Sequence, residues 1–307
     1  MYASAKVQLR SLLGTAPGDP QMRHAMPPGL SNLSKPHYPA LAKALVQLTE
    51  CPLKMPASLP STIASQLNDK INTLFLKTES YLNENDFAIH NLSAEAKKLI
   101  KADACAGHLA LAKIYHVCGN VEKMLHHFDV AQRLSNTIQA DYNAATCMVN
   151  LGLFSKAQRY FAIIGDPTAG YFKKEFSLGL CCGAFNRLRL YLEQAQKMKL
   201  DFSGIPIETM LRAQAVLAAG GITDENVAAV LDFAGEVMRE ERFFFEGEMP
   251  DIAIDDGPFD VPHCVYLTFK VKCSGTEAAR LSSTLFGKIA ERLDHIPDQL
   301  HVAFGHV

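Results

Sequence analysis

Leu111-Ala112-Lys113-Ile114-Tyr115-His116-Val117-Cys118-Gly119 and Ala144-Ala145-Thr146-Cys147-Met148-Val149-Asn150-Leu151-Gly152 are the stretches whose reading decides the fold of this chain of 307 residues. Each is an apolar run with helical spacing that ends on a glycine, and each precedes a second helical run. Glycine suits the end of a helix because it enters the left-handed region without the penalty that a Cβ brings. Gly183 ends a third such run, and Gly119, Gly152 and Gly183 are separated by 33 and 31 residues. A fixed period of this length predicts stacked helical hairpins, each burying a face against the next.

Aligned on the glycines, the first unit reads Ala112, Tyr115, Gly119, Met124, Phe128, Ala131 and the second Ala145, Met148, Gly152, Ala157, Phe161, Ile164. Small residues at Ala112 and Ala145 let paired helices approach, and Phe128 and Phe161 wedge between successive hairpins. With Pro167 closing the second unit, this order resembles the tetratricopeptide repeat over residues 65–200. The third unit departs from it: Phe176 stands at the small position and Gly179 at the aromatic one, with Leu188, Leu192 and Ala195 continuing its second helix. An upstream hairpin over residues 65–101 keeps the period if Asn85, followed by Phe87, replaces the turn glycine.

Working outward, residues 1–60 hold nine of the fifteen prolines and are expected to form an irregular arm with one short helix near Tyr38 to Thr49. Its stripe of Leu41, Leu45 and Leu48 requires a cover. Ser61 is expected to cap the first helix of the hairpins. On the other side, Ile207 to Leu217 and Thr223 to Arg239 read as helices flanking Gly220-Gly221. The character changes at Arg242, where Phe243-Phe244-Phe245 leads into an acidic segment, Glu246 to Asp260, read as a loop between modules. Residues 262–272 alternate as a strand with Val265, Leu267, Phe269 and Val271 on its buried face. Ser274-Gly275-Thr276-Glu277 opens a helix carrying Leu281, Leu285, Ile289 and Leu293, and Leu300 to Val307 reads as a last strand. Two strands do not make a stable sheet, so others are expected from the arm, from residues 243–256, or from another subunit. The fold class is thus mainly α: a tetratricopeptide-like stack at residues 61–241 after the arm at 1–60, then a small α/β unit at 242–307.

A net charge of −2 lacks the basic excess that nucleic-acid binding by counterion release draws on, although Lys97, Lys98 and Lys101 form a local basic group. The apolar runs fall short of the roughly 18 residues of a membrane span, and Arg10 interrupts the start before a signal-peptide core, so a cytoplasmic protein is expected. Eight cysteines without a Cys-x-x-Cys pair read as reduced thiols in packing positions, the neighbours Cys181 and Cys182 included. Asp251, Asp255, Asp256 and Asp260 followed by His263 are the densest set of metal-ligand types, but their spacing is not that of a calcium loop and a solvated acidic segment explains them. His126-His127 places its rings on different helix faces, and His295, His301 and His306 read as separate surface or partly packed residues. No phosphate loop, nucleophile elbow or paired zinc motif occurs, and no cofactor is expected.

The resemblance implies a protein-binding role, as adaptor, chaperone or assembly subunit, with a partner peptide or helix on the concave face formed by the first helix of each hairpin. Matching repeat positions gives Leu109, Lys113 and His116 from the first unit, Tyr142, Asn143, Thr146 and Asn150 from the second, and Lys173, Lys174 and Ser177 from the third. Asn143 and Lys174 match two positions of the family's lysine and asparagine clamp for a C-terminal carboxylate, whereas Leu109 and Lys113 depart from two others. This reading expects a groove open to solvent and homo-oligomerisation through the C-terminal unit. The alternative is an enzyme or ligand sensor with a site in the C-terminal unit around Asp255, Asp256 or His263.

Overall fold

The computed structural model describes residues 63–78, 80–135, 138–165, 167, 171–245, 249–255, 264–292 and 297–306, all within one compact unit, Ala40–Val307. The expected arm, its helix and the Ser61 cap lie outside the described residues. The protein is mainly helical with a small three-stranded sheet near its C-terminal end. In chain order the helices are α1 (Ile63–Leu76), α2 (Phe87–Ala102), α3 (Ala104–Val117), α4 (Val121–Leu134), α5 (Ile138–Asn150), α6 (Phe154–Ile164), α7 (Phe172–Cys181), α8 (Phe185–Lys197), α9 (Ile207–Ala219) and α10 (Asp224–Glu240), followed by β1 (Asp251–Asp255), β2 (Cys264–Val271), α11 (Gly275–Arg292) and β3 (Leu300–His306).

The period seen in the sequence is a repeated helix closure. Gly119, Gly152, Gly183 and Gly221 have φ of 69°, 64°, 72° and 69°. In every case the next residue's N–H reaches back five residues: Asn120 to Tyr115, Leu153 to Met148, Ala184 to Gly179 and Ile222 to Leu217, at 2.8–2.9 Å. These bonds satisfy carbonyls that the helix end leaves open and turn the chain sharply into α4, α6, α8 and α10. The aligned side chains are interior: Ala112, Met124, Phe128, Ala131, Ala145, Met148, Ala157, Phe161 and Ile164 are all buried. The odd third unit has a packing reason. A Cβ on Gly179 would press on Phe161 and Leu188, so the missing side chain makes room for the aromatic wedge from the previous hairpin.

The upstream connection differs from the expected tight turn. Ten residues separate α1 from α2, Asn85 is not in the left-handed region, and Phe87 is 81% exposed. This longer connection carries Ser80 into a bridge with Phe243 and sends the Tyr81 N–H to the Arg242 carbonyl at 3.1 Å.

Helix α10 does not extend the series of hairpins; it runs across their turns. Its Val227 and Leu231 lie where a Cβ on Gly183 would point, its Gly235 meets Gly152 backbone to backbone, and the segment after it meets Tyr81, whose ring packs on Gly119. Neither α6 nor α8 has a capping side chain of its own, their N-cap residues being Leu153 and Ala184. Helix α10 supplies both: Asp232 Oδ1 accepts from the Ser155 N–H at 3.1 Å, and the Asp224 carboxylate accepts from Asn186 and Arg187 at 2.8 and 3.0 Å. The two aspartates are eight residues apart, so they share a face and are spaced by about 12 Å, on the order of one packed helix. Arg239 adds donors to the Leu151 and Gly152 carbonyls at 2.8 and 2.7 Å, closing the other polarity of the same turn. Thr223 and Asn226 form a capping box that starts α10 itself.

The sheet has the order β1-β2-β3, with β1 antiparallel to β2 and β3 parallel to β2 through the α11 crossover. Strand β1 comes from Asp251–Asp255, inside the segment expected to be a loop and also inside the range named as a source of missing strands. Ile252 and Ile254 give it the β-branched positions, and Asp251 pairs with Lys270 of β2 at 3.0 Å. The expected buried face of β2 is observed, with Val265, Leu267, Phe269 and Val271 all inside. Phe269 packs on Phe154 of α6 at 5.4 Å and on Phe245 at 4.9 Å, so one core runs from the hairpins into the sheet and residue 242 marks a change of element type within it. Ser274 accepts from the Glu277 N–H at 3.2 Å as the start of α11 requires. On the edge of β3 that no described strand pairs with, Ser282 Oγ accepts from the Phe304 N–H at 2.9 Å, while its single proton has the Ala278 carbonyl at 2.9 Å as a nearer acceptor than the Phe304 carbonyl at 3.3 Å. An edge strand exposes such N–H groups to foreign strands, and Ser282 occupies this one from within.

Candidate functional site

The ten residues expected to line a groove lie on α3, α5 and α7, as periodicity placed them, but they are not equivalent. His116, Tyr142, Asn150 and Ser177 are buried, which corrects the expectation of a face open to solvent at those positions. The reason is visible at the α3 and α5 ends, where the chain covers its own face. His116 sits between Phe75 of α1 and Phe244, with ring centroids 4.9 and 5.3 Å away. Phe244 also contacts Phe75 and Tyr81 at 5.0 and 4.8 Å. The neighbouring Phe245 N–H bonds the Asn150 carbonyl at 2.9 Å, so residues 243–245 form a strap across this end.

Electrostatics follow from that cover. Burial, reinforced by the Lys113 charge, pushes the His116 imidazole down to about 3, so it is neutral at pH 7. Its Nε2 and the Tyr81 hydroxyl are buried without a hydrogen-bond partner among the described residues. Burial pushes the Tyr81 phenol up to about 12 against the opposing pull of Arg239 and Arg242. Lys113, half-buried, donates to Asn68 Oδ1 at 3.3 Å, and burial lowers its pKa. Cys147 beside it is pushed up to about 12 by burial and stays a thiol. Cys181 and Cys182 are buried, and burial raises the pKa of both thiols, in keeping with packing positions.

Further along, the hydroxyls of Thr146 and Ser177 turn back onto the carbonyls of Tyr142 and Lys173, at 2.9 Å each. Lys173 is exposed and held by Asp201 at 2.9 Å and Ser203 at 3.1 Å. The carboxylates of these helices face inward: Asp141 accepts from Gln132 at 2.5 Å, and buried Glu175 accepts from the Tyr191 hydroxyl. What remains partly accessible is Leu109 and Lys113 on α3, Asn143 and Thr146 on α5, and Lys174 on α7. These residues offer apolar, amide, hydroxyl and ammonium groups.

Other residues singled out in the sequence are dispersed. Asp256, Asp260, His263 and His295 lie outside the described residues. Asp251 and Asp255 are on β1, His301 stacks on Tyr266 of β2 at 4.9 Å, and His306 packs beside Gly275. Among the described residues no three His, Cys, Asp or Glu side chains converge where a metal ion could bind. No described helix is long and apolar enough to cross a membrane. His127 proves to have a partner that its neighbour His126 concealed: His108 of α3 lies 2.9 Å away, Nδ1 to Nδ1. The strap residue Phe244 was visible in the sequence only as part of an aromatic triplet, and its contacts with Phe75, Tyr81 and His116 have no sequence signal because they join distant segments.

Comparison with protein-family models, with curated proteins and with solved structures yields no match to this chain.

Proposed function

We propose that the chain is a protein-interaction adaptor, chaperone or assembly subunit built on modified tetratricopeptide-like hairpins, and that a partner segment docks on α5 and α7 around Asn143, Thr146 and Lys174. The observation that carries this reading is the glycine closure repeated at Gly119, Gly152 and Gly183, 33 and 31 residues apart, which ends α3, α5 and α7 in the same way. Helix α10 reinforces it by capping two second helices and fixing the Gly152 turn, so the face is prepared before a partner arrives. Preorganisation of this kind reduces the ordering entropy that binding must overcome. The strap confines the docking surface to the α5 and α7 side, because the α3 end is already filled by Phe244.

The test is capture from the source cell with wild-type protein and with a triple variant, Asn143→Ala, Thr146→Ala and Lys174→Glu, checked for unchanged circular dichroism. A photo-crosslinking residue at position 174 identifies what touches the face. A protein that crosslinks there and is lost from the folded variant supports the proposal. Equal capture by both proteins, with no crosslink at 174, refutes the assigned surface.

A further inference from the structure

His108 of α3 and His127 of α4 come together across the first hairpin with their Nδ1 atoms 2.9 Å apart and ring centroids 5.1 Å apart. Nearly the whole centroid separation is taken up by the two ring radii and the nitrogen contact, so the nitrogens point at each other. Such a contact requires one Nδ1–H donor and one bare Nδ1 acceptor, so the acceptor ring is neutral while the donor ring keeps the contact in either charge state. The Tyr115 ring lies parallel to His127 at 5.4 Å and 3°, and limits its rotation.

We propose that the His108–His127 pair is an acid-sensitive joint of the α3/α4 hairpin, closed by one shared hydrogen bond and opened when the acceptor nitrogen takes a proton. A first proton on the donor ring's bare Nε2 leaves the contact intact; a second, on the acceptor Nδ1, removes the lone pair that holds it and sets two cations against each other. Among the described residues, the charged groups that act on the pair are bases. From α2 comes Lys97; from α4 come His126, 5.1 Å from the His127 ring, and Lys123, which lies over Tyr115 at 5.0 Å; α3 contributes the Tyr115 ring itself. Burial and these bases hold both imidazoles below the ordinary histidine range, His127 at about 4. The sign follows: the folded state binds fewer protons than the unfolded state, so the joint's stability is complete above pH 6.5 and is lost as pH falls toward 4.

The experiment compares thermal midpoints of the full chain at pH 7.5 and 5.0 with histidine-resolved NMR titration, for wild type and His108→Gln. Glutamine offers a carbonyl acceptor to His127 in either charge state, so it relieves the conflict. Wild type is expected to lose roughly 5 °C between the two pH values and the variant less than half of that. His127 should titrate below pH 6 in wild type and move upward in the variant. An equal drop in both proteins, or two independent titrations near pH 6.5 in wild type, overturns the proposal. A midpoint raised by added zinc at pH 7.5 in wild type alone would also overturn it, making the pair a metal chelate. If the variant does not fold, the wild-type titration alone decides.

Discussion

Gly152 and Gly235 touch backbone to backbone, so that a Cβ built on either would overlap the other's main chain. Gly152 is there for two reasons, its φ of 64° and this approach, whereas Gly235 lies inside helix α10 where glycine is otherwise unfavourable. Its retention in a helix interior is explained by the contact alone. Gly235→Ala gains helix propensity yet forces α10 off the turn, and the expected net loss is about 3 kcal/mol, read as a lower urea midpoint with unchanged slope.

The two aspartates of α10 give a prediction that separates charge from acceptor. Burial raises the Asp224 pKa, while its two N–H donors oppose that shift. Its charge is therefore a burden that the hydrogen bonds only partly offset, but Asn186 and Arg187 donate to different oxygens, so Asp224→Asn removes the charge, keeps one acceptor and turns an amide NH2 toward the other donor. We expect both Asp224→Asn and Asp224→Ala to lose about 1 kcal/mol, as other caps do. Asp232→Ala should behave like Asp224→Ala. Because the two caps serve different helices through one rigid element, chemical denaturation of the double variant tests whether the losses add.

These caps show where sequence reading stops. The turn glycines were legible because a left-handed closure depends on one residue and its immediate neighbours. The buried faces of β2 and α11 were legible for the same local reason, periodicity. The missing caps of α6 and α8 were a blank in the sequence, since Leu153 and Ala184 cannot cap and their replacements come from 77 and 38 residues away. Strand β1 was legible only as one of several sources for a missing strand, because five residues with aspartate at both ends look like solvated loop until β2 is placed beside them. At the candidate site, periodicity put His116 and Asn150 on α3 and α5, but only the folded chain shows Phe244 packed on His116 and Phe245 bonded to the Asn150 carbonyl.

At the sheet edge, Ser282 Oγ accepts from the Phe304 N–H. Ser282→Ala leaves that N–H open on a strand, Leu300–His306, that carries no aspartate, glutamate, lysine, arginine or proline to repel another edge. The expected result is a loss of about 1 kcal/mol together with concentration-dependent self-association in sedimentation velocity. Ser282→Thr keeps the hydroxyl and should restore the monomer-to-oligomer ratio of wild type.

The strap offers the sharpest link between stability and the proposed surface. Phe244 is buried against Phe75, Tyr81 and His116, and replacing it with alanine opens a void beside two polar atoms that lack hydrogen-bond partners among the described residues, Tyr81 Oη and His116 Nε2. The loss of ring packing sets the expected cost at about 3–4 kcal/mol. Water entering the void would solvate the imidazole, so the His116 pKa should rise from about 3 toward the ordinary histidine range. NMR titration of His116 checks this in Phe244→Ala, and Phe244→Leu serves as the variant that keeps most of the packing. A titration that stays near 3 in a folded Phe244→Ala protein would mean that α1 and Lys113, rather than the strap, keep water from this histidine.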